Sequence, residues 1–234
     1  MKPYYEDGQA KIYCADSLEL VKTFESDKIA VVSDPPFGMA ADFERRGLRK
    51  KSTLGGYGHQ YHEWKDIAGD DKPFDPSHLL RFPIVALFGA NHYADKLPPE
   101  KVGKQWKWLF WDKRNGSGSD DNSDGELIWT NQSGALRVHS QKWRGMVREG
   151  EENLAKQGIK LHPAQKPVSL MRWIIGELKI PQSFTIYDPY MGSGSSLVAA
   201  KQLGYKIIGC DLNPLHCKTT VSRLAQGAFI FASA

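Results

Sequence analysis

Apolar and polar positions along this chain fall into two alternating patterns. Short apolar runs of strand length recur: AKIYCA at 10–15, KIAVVS at 28–33, FPIVALFGA at 82–90, WKWLFWDK at 106–113 and GELIWTN at 125–131. Other stretches repeat their apolar residues at helical spacing. Asp16 opens one, with Leu20, Val21 and Phe24 on its apolar face. Another carries Leu170, Met171, Ile174, Ile175 and Leu178, with Pro167 suited to its first turn. The last third is the most regular. FTIYDP (184–189) reads as a strand, MGSGSS as a glycine turn, LVAAKQLG as a helix closed by Gly204, YKIIGCDLNP as a second strand and HCKTTVSRLA as a final helix. This βαβ alternation predicts an α/β fold, with a mostly parallel sheet covered by helices. The run at 125–131 is the expected antiparallel member, and Trp108, Trp111 and Trp129 are expected in the core. The Gly, Ser and Asp cluster at 115–125 reads as a loop.

Two stretches break the alternation. Residues 39–75 form a long polar, glycine-rich insertion with LGGYGHQYHEW at its centre. A connection of that length inside a compact domain is usually functional or mobile. Residues 132–160 show no clear period.

Length and composition narrow the picture further. The 234 residues suit a single domain, here 1–234, with the insertion inside it. No run approaches the roughly 18 apolar residues of a membrane-spanning helix, and the N-terminus lacks the apolar core of a signal peptide. A cytoplasmic location without a membrane partner is expected. Cys14, Cys210 and Cys217 are odd in number and form no close zinc-type pair, so they read as reduced thiols, and no metal is expected. The net charge of +4 is mild. Its distribution says more: Arg45, Arg46, Arg49, Lys50 and Lys51 form one basic stretch, and Arg137, Lys142, Arg144 and Arg148 another. Either suits a polyanion, and either suits a solvated face.

Two motifs carry candidate chemistry. SDPPFG (33–38) continues an apolar strand directly. Proline fixes φ, removes a backbone donor and biases the preceding residue towards extended geometry. Asp34 and Phe37 are therefore held beside the stiff pair Pro35–Pro36. The second motif is strand, Gly192-x-Gly194, helix, strand, acid, ending at Asp211. Glycines let backbone approach a ligand closely, and an acid at the second strand end can accept hydrogen bonds from a ribose. Leu197 occupies the place of the third dinucleotide-fingerprint glycine, and the turn is not continued by Gly-Lys-Ser/Thr, which disfavours both a dinucleotide and a phosphate loop. Asp188 and Pro189 precede the turn. A carboxylate there would repel phosphate but could bond the ammonium of an amino-acid-like cofactor, which favours S-adenosylmethionine.

DPPF together with DPYMGSGS resembles the amino-methylating DNA methyltransferases, which act on adenine N6 or cytosine N4. The order here, catalytic motif first and cofactor turn last, resembles the β class, a circular permutation of the common fold. HPAQKP (162–167) and IYCADSLEL (12–20) match further motifs of that family. The resemblance implies a Rossmann-like methyltransferase fold, with a mostly parallel seven-stranded sheet containing one antiparallel strand. It implies a cofactor set of Asp16, Lys166, Ser169, Asp188, Pro189, Met191, Gly192, Gly194, Asp211 and Leu212. Asp16 equally fits a plain helix N-cap. Lys166 and Ser169 are expected near the cofactor carboxylate, and His162 is expected to be structural.

The catalytic set that the resemblance implies is Asp34, Pro35, Pro36 and Phe37. An exocyclic amine is a poor nucleophile because its lone pair is delocalised into the ring. The Asp34 carboxylate and the Pro35 carbonyl could accept its two hydrogens, and Phe37 could stack on a base flipped from double-stranded DNA. In that family aspartate at the first position of the tetrapeptide is usual for adenine N6 and serine for cytosine N4, so the resemblance favours adenine. The family places target recognition before HPAQKP, here a short segment at 133–161. Arg45, Arg46, Arg49, Lys51, Tyr57, Arg137, Lys142 and Arg144 are the expected DNA contacts. So short a segment suggests a short target or a homodimer. Cytosine N4, RNA, a protein amide and a non-catalytic nucleic-acid-binding module are the alternatives.

Overall fold

The computed structural model describes residues 1–25, 27–38, 69–100, 105–116, 123–144, 147–150 and 165–228. The strands in chain order are β1 (Tyr5–Glu6), β2 (Ala10–Cys14), β3 (Ile29–Ser33), β4 (Ile84–Phe88), β5 (Trp106–Asp112) and β6 (Gly125–Ser133). They continue with β7 (Arg137–Ser140), β8 (Trp143–Arg144), β9 (Val147–Arg148), β10 (Thr185–Asp188) and β11 (Lys206–Asp211). The helices are α1 (Ser17–Leu20), α2 (Val168–Glu177), α3 (Ser195–Gln202) and α4 (Pro214–Ala228).

One sheet organises these elements in the order β1-β2-β11-β10-β3-β4-β6-β5-β7. The central seven, β2 to β5, contain one antiparallel strand, β6, as the sequence predicts. The sheet nevertheless has nine strands among the described residues, not seven. β1 adds an antiparallel edge beside β2, and β7 a parallel edge beside β5. Neither edge has a legible period. β1 is two residues long, and β7 buries none of its residues, so no alternation marks it. β8 and β9 pair separately as a short hairpin.

The pleat sorts each strand between two faces. Ala30 and Val32 of β3 join a core with Ile12, Phe88 and Ile128, covered by Leu170, Ile174, Leu197, Ala200 and Leu224 of α2, α3 and α4. Ile29 and Val31 face the other way, with Leu20, Val21, Phe74, Leu79, Phe82, Tyr93 and Trp129. Trp111 and Trp129 are fully buried, while Trp108 is half-buried. α1 is shorter than its spacing predicts and tightens into a 3-10 turn over Val21–Thr23. Thr23 Oγ1 donates back to the Leu20 carbonyl, and the Arg81 guanidinium takes the carbonyls of Val21 and Phe24. These donors satisfy carbonyls left open where the helical turn ends.

β10 and β3 lie side by side, although Ser33 and Asp188 are 155 residues apart. The strand order reverses between them, which opens a crevice at their carboxyl ends. Both sequence motifs leave the sheet there.

Candidate active site

β3 is buried at all five positions and delivers the chain straight into Asp34–Phe37. Glycine geometry fixes the end of this tetrapeptide. Gly38 has φ +73°, its N–H donates to Asp70 Oδ1 at 2.9 Å, and any Cβ there would overlap the Lys72 carbonyl. The half-buried Phe37 ring stacks on His92, with centroids 5.1 Å apart and planes 17° from parallel. It fits because Gly89, at φ +65°, has no side chain where the ring lies.

Asp34 divides its two oxygens. Oδ2 is 2.5 Å from the Lys166 ammonium, whereas Oδ1 is buried without a hydrogen-bond partner among the described residues. Lys166 Nζ also lies 3.2 Å from Glu126 Oε2 and 5.3 Å above the Phe88 ring. Glu126 Oε1 in turn meets Lys113 Nζ at 2.5 Å. Burial pushes the Asp34 carboxyl up, Lys166 pulls it back, and Glu126 pushes it up again, leaving it above the ordinary range. Glu126 goes the other way: burial would raise it, but Lys166 and Lys113 outweigh that and hold it below the ordinary range. Burial would lower the Lys166 ammonium, but Asp34 and Glu126 hold it above its ordinary value. Lys166, expected at a cofactor carboxylate, thus sits on the candidate catalytic aspartate.

The cofactor turn comes directly after β10. Gly192 and Gly194 have φ +50° and +76°. Gly194 N–H closes the turn on the Met191 carbonyl at 2.7 Å, and a Cβ on Gly194 would come within 2.6 Å of Thr220. Gly192 N–H donates to Asp211 Oδ2 at 3.0 Å, and Asp211 Oδ1 accepts from Asn213 N–H at 2.8 Å. Asp188 is buried and accepts from the Ser33 and Ser196 hydroxyls and from Tyr190 N–H. Burial pushes its carboxyl up to about 6 despite those donors. Its oxygens therefore hold the turn together and tie it to β3. Pro189 and Met191 are also buried. Ser169 Oγ donates to Gln141 Oε1 at 2.9 Å.

At the neighbouring strand end, Asp16 caps α1 by accepting from Leu18 N–H at 2.8 Å. Ala15 N–H donates to the Asp211 carbonyl, which brings the ends of β2 and β11 together. Leu18, Leu212 and Leu215 are left exposed around these two acids. Isolated exposed leucines are ordinary, but three beside two carboxylates suit an adenine ring and the ribose hydroxyls attached to it. The residues fit S-adenosylmethionine on that ground.

The expected DNA contacts divide. Arg45, Arg46, Arg49, Lys51 and Tyr57 lie outside the described residues, as do His162 and the side chain of Arg144. Arg137 and Lys142 are exposed. Arg148 is buried, stacked 5.0 Å over Trp143 and bonded to Gln165 Oε1. Trp143 Nε1 donates to the Gln165 carbonyl at 2.9 Å, which fastens the β8–β9 hairpin to the residue before Lys166.

The sequence profile of a family described as DNA methylase, the N6/N4 methyltransferases, matches residues 91–222. The chain belongs to this family. It is 32% identical over 246 residues to the type II methyltransferase M1.MboII of Moraxella bovis, covering 86% of this chain and 89% of that one. It is 25% identical to M2.LlaDCHI of Lactococcus lactis subsp. cremoris, covering 97% and 93%. Among solved structures, the cytosine-N4-specific PvuII DNA methyltransferase superposes with a TM-score of 0.59 at 17% identity, covering 99% and 94%. The M1.HpyAVI complex with S-adenosylmethionine gives 0.52 at 20%, covering 92% and 99%. At such identities the two structures establish the fold alone.

This N6/N4 methylase is an S-adenosylmethionine-dependent DNA methyltransferase of the amino-methylating class. Sequence reasoning missed Glu126, Lys113, Gly89 and His92. Glu126 left one signal, a lone acid near the start of the apolar strand GELIWT. Gly89 and His92 left none, because their role exists only once Phe37 folds against them.

Proposed function

We propose that this methyltransferase acts on the exocyclic N6 of an adenine flipped out of double-stranded DNA. The observation that carries the reading is Asp34 Oδ1, a buried acceptor without a partner among the described residues, at the end of β3. Asp34 Oδ1 and the Pro35 carbonyl accept the two amine hydrogens and draw the nitrogen towards a tetrahedral form with a usable lone pair. Pro35 and Pro36 keep this arrangement stiff, so placement supplies much of the remaining rate. Phe37 stacks on the base and returns about 1–3 kcal/mol against the few kcal/mol that flipping costs. Bound S-adenosylmethionine supplies an electrophilic methyl group. The surplus proton on the methylated, now acidic nitrogen passes after transfer to the Asp34 carboxylate it is bonded to or to water, so no strong base is needed beside it.

Asp16 and Asp211 hold the ribose and adenine end of the cofactor, with Leu212 against the ring. The Gly192–Gly194 turn lets backbone approach it. Within the single domain, residues 39–75 and 133–161 contact DNA, through Arg45, Arg46, Arg49, Lys51 and Tyr57 in the first and Arg137, Lys142 and Arg144 in the second. Such short segments suit a short target, or two chains sharing one. The cytoplasm, where unmethylated DNA is accessible, is the proposed location.

The test is to incubate the protein with unmethylated DNA and methyl-labelled S-adenosylmethionine, digest the DNA and identify the labelled nucleoside by mass spectrometry. N6-methyladenine is expected. N4-methylcytosine would keep the mechanism and overturn the base. Label in RNA or protein alone would overturn the substrate.

A further inference from the structure

Asp34 ends a buried row of four alternating charges: Asp34, Lys166, Glu126 and Lys113, joined by contacts of 2.5, 3.2 and 2.5 Å. Methyl transfer directly uses only the first. Lys166 and Asp34 keep side-chain exposures of 8% and 18%, and Glu126 and Lys113 keep 17% and 22%. Buried ion pairs seldom add stability relative to apolar packing, because desolvation offsets their attraction. Such a row next to a reacting group therefore calls for another explanation. Lys113 alone would satisfy Glu126, yet Glu126 also reaches Lys166 and competes with Asp34 for it.

We propose that Lys166 and Glu126 are positioning residues for methyl transfer. Lys166 anchors Oδ2 of Asp34 so that Oδ1 stays free for the amine, and Glu126 draws off part of the Lys166 charge so that Asp34 remains a strong acceptor. The inference rests on the amine-methylating reading of the site. An aspartate bound to an unshared ammonium would be fixed in place but poor at accepting a second hydrogen. An aspartate without the ammonium would be pushed by burial towards its protonated form, a weaker acceptor that also carries a competing O–H donor. The intermediate state needs both partners.

The titratable groups around Asp34 come from five elements. They are Lys166 before α2, Glu126 on β6, Lys113 after β5, Tyr93 in the turn after β4 and Asp188 at the end of β10. Removing Lys166 deletes the main group that favours the Asp34 anion, so Asp34 should titrate at higher pH. Neutralising Glu126 deletes an anion that disfavours it and returns Lys166 to Asp34 alone, so Asp34 should titrate at lower pH. The two variants move the same group in opposite directions, which a merely structural role would not do.

The experiment follows the Asp34 carboxyl by 13C NMR, assigned with Asp34→Asn, and in parallel the single-turnover rate of methyl transfer against pH. In Lys166→Met the Asp34 titration and the acid limb of the rate should both rise by about one unit or more, with the plateau rate down by about 10²-fold. In Glu126→Gln both should fall. Lys166→Arg should restore the limb towards its parent position. S-adenosylmethionine affinity should change less than about threefold throughout. Rate losses without opposite shifts of the titration would overturn the proposal. So would a Lys166→Met variant whose main defect is lost cofactor binding, which would place that lysine on the cofactor instead. Glu126→Gln changes no volume and stays informative if Lys166→Met does not fold. The NMR titration needs no turnover, so a failure of this inference is distinct from a failure of the adenine assignment, which the nucleoside analysis reads.

Discussion

Two carboxylates at strand ends of the sheet differ in their partners rather than in exposure, with 18% of the Asp34 side chain and 15% of the Asp211 side chain accessible. Asp34 keeps one oxygen without a partner among the described residues. Asp211 has both oxygens engaged: they order the glycine turn through Gly192 N–H and the chain beyond β11 through Asn213 N–H. Their removal should therefore be felt in different measurements. Asp34→Ala should lower single-turnover transfer by about 10³-fold or more while calorimetric affinity for S-adenosylmethionine persists. Asp211→Ala should weaken that affinity by about tenfold or more, the scale of a lost charged hydrogen bond. The opposite pattern would exchange the two sites.

At the scale of elements, the tetrapeptide is held from outside. The turn after β4 supplies His92 to the Phe37 ring and Tyr93, whose hydroxyl donates to the Phe88 carbonyl. The segment after residue 68 supplies Asp70 to Gly38 N–H and the Lys72 carbonyl against its Cα. Gly89 links these supports, since its φ of +65° starts the turn and its missing side chain admits the ring. Gly89→Ala should cost about 1–3 kcal/mol in stability, read from a denaturant midpoint, through left-handed backbone strain plus overlap with Phe37. It should also slow transfer by about tenfold or more, with cofactor affinity unchanged. A variant with parent stability and parent rate would show that Phe37 is free to move without loss.

Over the whole molecule, function depends on where charge lies rather than on its sum. A net charge of +4 is too small to direct DNA binding by itself, whereas basic residues concentrated at 45–51 can. Reversing Arg45, Arg46 and Arg49 should weaken DNA binding most at low salt and flatten the salt dependence, by about 0.9 in logarithmic slope for each phosphate no longer neutralised. Binding isotherms across a salt series check this, and an unchanged slope would move recognition elsewhere. The β8–β9 hairpin, part of the second segment proposed to contact DNA, is fastened by Trp143 and Arg148 to Gln165, next to Lys166.

The sequence by itself determined what local physics determines. Continuous apolar runs marked the buried strands β3 and β4, periodic apolar residues marked α2, and glycine with aspartate marked the two loops proposed to carry the chemistry. Those signals are local because burial on both faces, helical repeat and φ restriction each act within a few residues. The two edge strands, the early end of α1 and the partners of Asp34 were decided by the tertiary structure. An edge strand buries no alternating face, so β7 leaves no pattern. α1 gives way to a 3-10 turn, and Arg81, far along the chain, takes the Val21 and Phe24 carbonyls at its end. Lys166 lies 132 residues from Asp34, and no spacing rule joins them. Only the packing of α2 on the sheet and the placement of β6 beside β4 bring an ammonium and a second carboxylate onto Asp34. There low dielectric makes each charge count for more than it would in water.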